Sequence, residues 1–332
     1  MRTKSFIPIL LPVLLLVCAF QLKAQKVGLL MDSYVTDRWF IDQKLFTDKV
    51  KELGGEVKVE VAYGDPAEQI RLGKKLLAEG VKVLVIVAVD GHKASEIVEA
   101  ASAVHVPVIA YDRLIDNNKI AIYISYNNER VGEMQAQAAL AKFPQGKYLL
   151  VNGPIIDNNA ILYRNGQLKV LKKSIDEGKV KIIGDLVQDD WGEIGALMKV
   201  DEFVSLNTER PDVIIAANDA LASGAIQALP AEMKGKTYVT GQDADLSALR
   251  YIVGGLQSMT IYKPIKPVAY WAAESAIKLA KGETVKGTSR FKDGKIEVEA
   301  VLLDPVAVDK SNYRDTVVKD GHVSLSELLE KK

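Results

Sequence analysis

The chain has almost none of the side chains that attack electrophiles or hold transition metals. Its 332 residues include one cysteine and three histidines. Cys18 lies in an apolar stretch at the N-terminus, so the remainder has no disulfide, thiol nucleophile or thiolate metal site. His92, His105 and His322 are far apart and lack the spacing of metal ligands. Calcium loops, nucleophile elbows and phosphate-binding glycine loops are also missing. The sequence therefore predicts no metal, no cofactor and no catalytic nucleophile.

The first 24 residues have the features of an export signal. Arg2 and Lys4 precede an apolar stretch over 6–20 that is too short for a comfortable membrane span, and Ala24 offers a small residue for cleavage. We therefore expect residues 1–24 to be a cleaved signal peptide and the mature protein to be periplasmic. A lipid anchor on Cys18 is not expected, because such signals generally need a small residue before the cysteine.

The chain also lacks an excess of charge of either sign, since 43 Lys and Arg balance 43 Asp and Glu. Cleavage of the leader would remove three positive charges and leave a net charge of −3. A slightly acidic chain has no electrostatic basis for binding nucleic acid or an anionic membrane.

No linker rich in Ser, Pro or Gly divides the chain, although about 308 residues after the leader are enough for two domains. Strand-like and helix-like segments alternate almost throughout. The strongest strand candidates, such as 83–88 and 213–217, are apolar on both faces, as buried parallel strands are. Phe46 and Val50 share one helical face, and Gly54 ends that helix. The alternation predicts an α/β fold with two doubly wound, Rossmann-like lobes.

Polar side chains stand where the predicted strands end. These clusters are Tyr111-Asp112-Arg113, Asp157-Asn158-Asn159, Asn218-Asp219 and Gln242-Asp243, with Arg38-Trp39 and Trp191 in similar loops. The carboxyl ends of parallel strands open onto one crevice, so we expect the clusters to converge there. Carboxylates, carboxamides and the guanidinium fork suit a polyhydroxylated ligand, and tryptophan faces stack on the C–H surface of a pyranose. The pattern indicates a sugar-binding site.

Other interpretations fit the clusters one at a time. Asp112, Asp157 and Asn218 are ordinary helix-cap residues by type, and Arg113 and Lys263 could be solvated charges. A glycoside hydrolase would use two of the aspartates as acid and base, but a general acid needs an apolar pocket or a second carboxylate, whereas Asp112 adjoins Arg113. A sugar-responsive repressor would carry a basic DNA-binding headpiece where this chain has an export signal.

Nine motifs carry a resemblance to a known family. They are Asp37-Arg-Trp, Ala110-Tyr-Asp-Arg, Tyr123-Ile-Ser-Tyr-Asn-Asn-Glu, Val131-Gly-Glu-Met-Gln-Ala-Gln-Ala, Asp157-Asn-Asn-Ala, Ala217-Asn-Asp-Ala, Gly224-Ala-Ile-Gln-Ala-Leu, Gly241-Gln-Asp-Ala-Asp-Leu and Tyr262-Lys-Pro. Together they resemble the periplasmic sugar-binding proteins of ABC importers, and among these the xylose-binding group. The resemblance runs over essentially the whole mature chain.

The resemblance implies the type I periplasmic binding protein fold, in which two lobes joined by a three-segment hinge close on a monosaccharide. We expect an N-terminal lobe of residues 25–130 plus 260–288 and a C-terminal lobe of residues 131–259 plus 289–332. The chain would pass between the lobes near 129–131, 257–260 and 282–289.

The resemblance also implies the ligand and its contacts. The residues expected to hydrogen-bond the sugar are Arg38, Asp112, Arg113, Asp157, Asn159, Asn218, Asp243 and Lys263, while Trp39 and Trp191 would stack on it. The expected ligand is D-xylose, which a monomer would bind without turnover and deliver to an ABC permease. Arg38 and Tyr111 would help the two tryptophans to exclude the hydroxymethyl group of glucose. Binding of another pentose or hexose, or sensing on behalf of a signalling receptor, stays open as an alternative.

Two positions depart from the family pattern. Asp37 stands where the family usually has Glu, and Asp190 stands where it usually has Gly beside the loop tryptophan. Asp190 adds charge and bulk beside Trp191, where both would affect which sugar is bound.

Overall fold

A computed structural model describes residues 24–36 and 38–330 of the chain. Its strands and helices alternate, as the hydrophobic pattern predicts. In chain order they are β1 (Gln25–Met31), α1 (Arg38–Glu52), β2 (Gly55–Val61), α2 (Pro66–Ala78), β3 (Val83–Ile86), α3 (Ser95–Ala103), β4 (Val108–Tyr111), β5 (Ile122–Tyr126), α4 (Asn128–Lys142), β6 (Gly146–Asn152), α5 (Asn158–Asp176), β7 (Val180–Val187), α6 (Glu193–Leu206), β8 (Val213–Ala216), α7 (Asp219–Ala228), β9 (Tyr238–Thr240), α8 (Leu246–Gly254), β10 (Met259–Tyr262), α9 (Ile265–Ala280), β11 (Ser289–Asp293), β12 (Ile296–Leu303), β13 (Val306–Asp309), a π-helical turn (Arg314–Val318) and α10 (Leu325–Leu329).

Local signals set several of these boundaries. Gly54 has a φ of +82°, a left-handed conformation that glycine adopts without steric penalty, and it separates α1 from β2. Pro264 is the N-cap of α9, where the missing N–H removes no intrahelical bond. Val268 and Ala272 of α9 are fully buried against the first sheet, as their helical spacing predicts.

The first lobe is built around a sheet in the order β11-β12-β5-β4-β3-β1-β2. Strands β1 to β5 pair in parallel, α1 and α9 cover one face, and α2 and α3 cover the other. The order reverses at β1, which has β2 on one side and β3 on the other. A crevice opens at such a reversal, at the carboxyl ends of the strands.

The second lobe repeats this plan with a parallel sheet in the order β7-β6-β8-β9. Helices α6 and α7 pack on one side, α4 and α5 on the other, and β10 pairs with β13 as a separate ribbon. The strand order reverses at β6. The prediction of two doubly wound lobes is therefore confirmed.

The expected lobe boundaries near the C-terminus are wrong. Residues 289–303 were expected in the C-terminal lobe, but β11 and β12 form a hairpin whose inner strand pairs in parallel with β5 of the first sheet. Conversely, Thr260 to Tyr262 were expected in the N-terminal lobe, but they lie in β10, which pairs with β13. Strand β11 has mostly exposed side chains, so its sequence carries no signal for the sheet that it joins.

The chain passes between the lobes at three places. It leaves β5 of the first sheet and enters α4 of the second lobe at 127–128, returns from β10 to α9 at 263–264, and crosses again from β12 to β13 at 304–305. The first two crossings lie within six residues of the expected positions. The third begins 15 residues after the end of the expected 282–289, because the hairpin comes before it.

Residues 1–23 of the expected signal peptide and Asp37 lie outside the described residues. Within 24–36 and 38–330, no helix is long and apolar enough to cross a membrane.

Candidate functional site

The ten residues predicted from the sequence all line one cavity between the lobes. The first lobe supplies Arg38 and Trp39 at the start of α1, and Asp112 and Arg113 directly after β4. The other six come from helix starts and loops after strands of the second lobe: Asp157, Asn159, Trp191, Asn218, Asp243 and Lys263.

Arg38 lies among three carboxylates. Its Nε is 3.1 Å from Asp42 Oδ2, its Nη2 is 3.1 Å from Asp112 Oδ2, and its Nη1 is 3.5 Å from Asp243 Oδ1. Burial alone would lower the pKa of the guanidinium, but the charges of Asp112, Asp42 and Asp243 outweigh burial and raise that pKa. Arg38 is therefore a permanently charged donor that connects the two lobes.

Tyr111 does not belong to the cavity wall, contrary to expectation. Its hydroxyl donates a hydrogen bond to Asp42, which in turn accepts one from Arg38. Tyr111 therefore acts from behind the site, where it helps to fix the carboxylate that orients Arg38.

Asp112 has a strained backbone. Its φ of +62° is uncommon for a residue with a Cβ. The carbonyl oxygen of Asp112 accepts hydrogen bonds from the hydroxyls of Tyr123, at 3.1 Å, and Ser125, at 2.6 Å. Two buried hydroxyls of β5 thus hold the turn that aims the Asp112 carboxylate into the cleft.

The Asp112 carboxylate is surrounded by groups that favour its ionised form. Oδ1 accepts a hydrogen bond from Asn159 Nδ2 of the other lobe at 3.0 Å. Burial raises the pKa of this carboxyl, but the charges of Arg38, Lys263 and Arg113 outweigh burial and lower it. Asp112 is therefore an ionised acceptor, which is the opposite of what a general acid requires.

Arg113 forms a second ionic connection between the lobes. Its Nε lies 2.8 Å from Asp157 Oδ2, and its Nη1 donates to Asp32 Oδ2 and to the Ala88 carbonyl, both at 2.9 Å. Asp157 Oδ2 also accepts from Trp191 Nε1 at 3.0 Å. Burial raises the pKa of the Asp157 carboxyl, and Arg113 opposes that shift.

The two tryptophans are held in different ways. Trp39 is buried, with the guanidinium carbon of Arg38 4.6 Å and that of Arg113 5.6 Å from its ring centroid. Trp191 lies so close to Gly153 that a Cβ there would be 2.3 Å from the indole ring. A side chain larger than that of glycine at position 153 would therefore displace the indole from this position.

Asn128, at the first crossing, sets the orientation of Asn159. Its Nδ2 donates to Asn159 Oδ1 at 2.7 Å, so Asn159 Nδ2 turns towards Asp112. The sequence places Asn128 inside a motif but gives no indication of this role.

Two of the predicted residues also cap helices, so the capping interpretation is correct as local structure. Asp157 accepts from the Asn159 amide at 2.9 Å, and Asn218 accepts from the Leu221 amide at 2.9 Å. One carboxylate oxygen of Asp157 and the amide nitrogen of Asn218 point the other way, towards Trp191. Capping and lining the cavity are thus compatible.

The cavity includes three residues that are not in the predicted set: Thr36, Tyr163 and Gln242. Tyr163 accepts a hydrogen bond from Lys263 Nζ at 3.2 Å, and that nitrogen lies 3.4 Å from Asp243 Oδ1. Tyr163 follows Asn159 by four residues, so helical spacing could have found it. Gln242 adjoins Asp243 in a cluster already singled out, whereas Thr36 has no comparable signal.

The chain matches the model of the periplasmic binding protein domain over residues 27–284. It belongs to the periplasmic binding protein family. Two relatives described as D-xylose-binding periplasmic proteins are similar over most of their length. The one from Haemophilus influenzae is 42% identical over 300 residues, covering 90% of each chain, and the one from Escherichia coli is 41% identical over 330 residues, covering 99% of this chain and 100% of the relative.

Solved structures of binding proteins have the same fold. A carbohydrate transporter solute-binding protein from Chloroflexus aurantiacus, in complex with D-glucose, superposes with a TM-score of 0.85 at 28% identity, covering 92% of this chain and 98% of that one. An ABC transporter solute-binding protein from Clostridium phytofermentans with bound β-D-glucose gives a TM-score of 0.84 at 25% identity, with 91% and 99% covered.

Asp190, one of the two departures from the family pattern, has a local role in this binding protein. It is exposed, and its Oδ1 accepts from the Gly192 amide at 2.7 Å in the turn that precedes α6. It does not line the cavity that holds the ten predicted residues. Its carboxylate therefore supports the Trp191 loop from outside.

Proposed function

We propose that this periplasmic binding protein captures D-xylose reversibly in the cleft between its lobes and delivers it to an ABC permease. Two relatives named for D-xylose binding, at 41–42% identity over nearly their whole length, support the choice of sugar. The ten proposed contact residues are Arg38, Trp39, Asp112, Arg113, Asp157, Asn159, Trp191, Asn218, Asp243 and Lys263.

One observation carries the proposal. Asp112 Oδ2 and Asp243 Oδ1 come from different lobes, are buried, and make no hydrogen bond within the described residues. Each lies 3.1–3.5 Å from a guanidinium nitrogen of Arg38, at ion-pair distance but without hydrogen-bond geometry. Both oxygens therefore keep acceptor capacity for the hydroxyl protons of a sugar, and buried acceptors are normally satisfied. A ligand that bridges them stabilises the closed form.

Binding without turnover is consistent with the charges in the cleft. Asp112 is held ionised by Arg38, Lys263 and Arg113, and Asp157 is paired with Arg113 at 2.8 Å. A glycosidase needs one neutral carboxylic acid poised near its working pH. Each of these carboxylates instead has a permanent cation beside it.

The side chains that line the cavity support a pentopyranose over a hexose. Xylose lacks the hydroxymethyl group of glucose, and in the closed protein that group would have to fit among Arg38, Trp39 and Trp191. Overpacking a closed site typically costs about 1–3 kcal/mol, so glucose should bind at least ~10-fold more weakly than xylose.

Calorimetry against D-xylose, D-glucose, D-ribose and L-arabinose tests the proposal. We expect D-xylose to bind with the highest affinity, and chromatography after long incubation to return it unchanged. Glucose or ribose displacing xylose at equal concentration would refute the sugar assignment while leaving sugar binding intact. Any sugar product would refute the assignment as a binding protein.

We further propose that residues 1–24 are cleaved on export and that the mature protein is a monomer in the periplasm. N-terminal sequencing and light scattering of the exported protein test both points. Transport by a reconstituted permease would support import, whereas ligand-dependent stimulation of a receptor kinase alone would support the sensing alternative.

A further inference from the structure

The turn that carries Asp243 is strained. Asp243 and Ala244 follow one another with φ values of +104° and +58°. Residues with a Cβ rarely adopt either conformation, and two in succession persist only where the surroundings hold them. This turn follows β9 and aims Asp243 Oδ1 between Arg38 and Lys263.

Three successive amide groups of this turn donate hydrogen bonds to β10 or α7. The N–H of Asp243 donates to the Ile261 carbonyl at 2.8 Å, that of Ala244 to Thr260 Oγ1 at 3.2 Å, and that of Asp245 to Asp219 Oδ2 at 2.9 Å. The backbone of the turn is therefore fixed residue by residue.

Asp219, the first residue of α7, is the common anchor. Besides the Asp245 amide, its Oδ2 accepts from Thr260 Oγ1 at 2.9 Å, and its Oδ1 accepts from Gln257 Nε2 at 2.8 Å. A Cβ on Gly241 would lie 2.0 Å from Asp219 Oδ1, so only glycine at the start of the turn allows this approach. Asp219 is buried and does not line the sugar cavity.

We propose that Asp219 is a positioning residue for sugar recognition, which acts through the Thr260 hydroxyl and the Asp245 amide to hold Asp243 in its binding conformation. The hydroxyl of Thr260 serves as a relay, because it donates to Asp219 while accepting from Ala244. The inference rests on the proposed role of Asp243 as a sugar contact.

Thr260→Val tests the relay with almost no change of shape. We expect it to weaken D-xylose affinity at least tenfold in calorimetry, while Thr260→Ser restores affinity to within about threefold of the wild type. Asp219→Asn, which replaces one carboxylate oxygen of Asp219 with an amide nitrogen, should also weaken the affinity for D-xylose. This variant keeps the test possible if Thr260→Val fails to fold. Thr237→Val is the matched control, since Thr237 is a buried threonine of the same lobe whose hydroxyl donates to the Pro211 carbonyl. It should leave affinity within twofold.

A double-variant cycle separates positioning from general structural support. Asp243→Ala should remove most of the affinity, and Thr260→Val should then cause no further loss in the Asp243→Ala background. If Asp243→Ala binds xylose like the wild type, the proposed site fails. If Asp243→Ala loses affinity but Thr260→Val and Asp219→Asn keep it, the positioning role is refuted while the proposed site stands. The same conclusion follows if the losses of Asp243→Ala and Thr260→Val add in the double variant.

Discussion

Replacing Asp112 with alanine tests the charge arrangement of the cleft most directly. In the closed protein this carboxylate lies 3.1 Å from Arg38 Nη2, accepts a hydrogen bond from Asn159 at 3.0 Å, and offers Oδ2 to the ligand. Its loss leaves buried cationic and amide donors without that partner. Truncating one partner of a buried charged pair typically costs about 2–5 kcal/mol of binding free energy, or roughly 30-fold to several thousandfold in affinity.

The loss should appear mainly in the sugar-bound state. When the lobes separate, water can solvate Arg38, and the contact between Asp112 and Asn159 from the other lobe is no longer needed. We therefore expect Asp112→Ala to lower the Tm of the free protein much less than it lowers the Tm at saturating xylose. Asp116→Ala is the control, because this carboxylate follows the same strand but is exposed and does not line the cavity.

Trp39→Ala gives the comparison that decides between ionic and stacking contributions. An aromatic contact contributes about 0.5–1.5 kcal/mol beyond the area it buries, so its removal should reduce affinity less than Asp112→Ala does. Equal losses in calorimetry, or an Asp112→Ala variant with wild-type affinity, would show that the ionic network does not carry recognition.

Three further predictions concern packing, motion and pH. Gly132→Val should destabilise the fold strongly and displace Tyr163, because even a Cβ at this position would lie 1.9 Å from the Tyr163 carbonyl oxygen. Chemical unfolding measures the loss of stability, and a variant as stable as the wild type would contradict the close approach of α4 and α5. Sugar should reduce the radius of gyration in small-angle scattering, because only the closed form brings Asp112 and Asp243 to one ligand; an unchanged radius at saturation would argue against hinge closure about 127–128, 263–264 and 304–305. Burial, opposed by the amide of Gln257 and reinforced by the charge of Asp243, raises the pKa of the Asp219 carboxyl from 3.8 to about 7 in the folded protein. The unfolded chain releases this proton first, so this group's contribution to the free energy of unfolding falls as the pH rises from about 4 to about 7. The free energy of unfolding, measured at pH 5 and pH 8, should change less with pH in Asp219→Asn than in the wild type. An equal change in both proteins would refute the raised pKa of Asp219.

The lobes and the location of the site could be predicted from the sequence because both depend on short-range rules. Buried parallel strands need continuous apolar runs such as 83–88, and parallel strands of a doubly wound sheet present their carboxyl ends to one crevice. Asp112, Asp157 and Asn218 therefore had to converge once the strands were recognised. The motifs around them then pointed to one family.

The tertiary structure alone decided which segments belong together across long sequence distances. The hairpin of β11 and β12 joins the first lobe because β12 pairs in parallel with β5, and the apolar side chains of β12 indicate burial but not which sheet the strand joins. The anchoring of the Asp243 turn is decided in the same way, because Asp219 and the Asp245 amide are 26 positions apart and meet only when α7 and the end of β9 lie side by side. Periodicity specifies local conformation and burial, whereas sheet pairing and hydrogen bonds between distant residues arise only when the whole chain is folded.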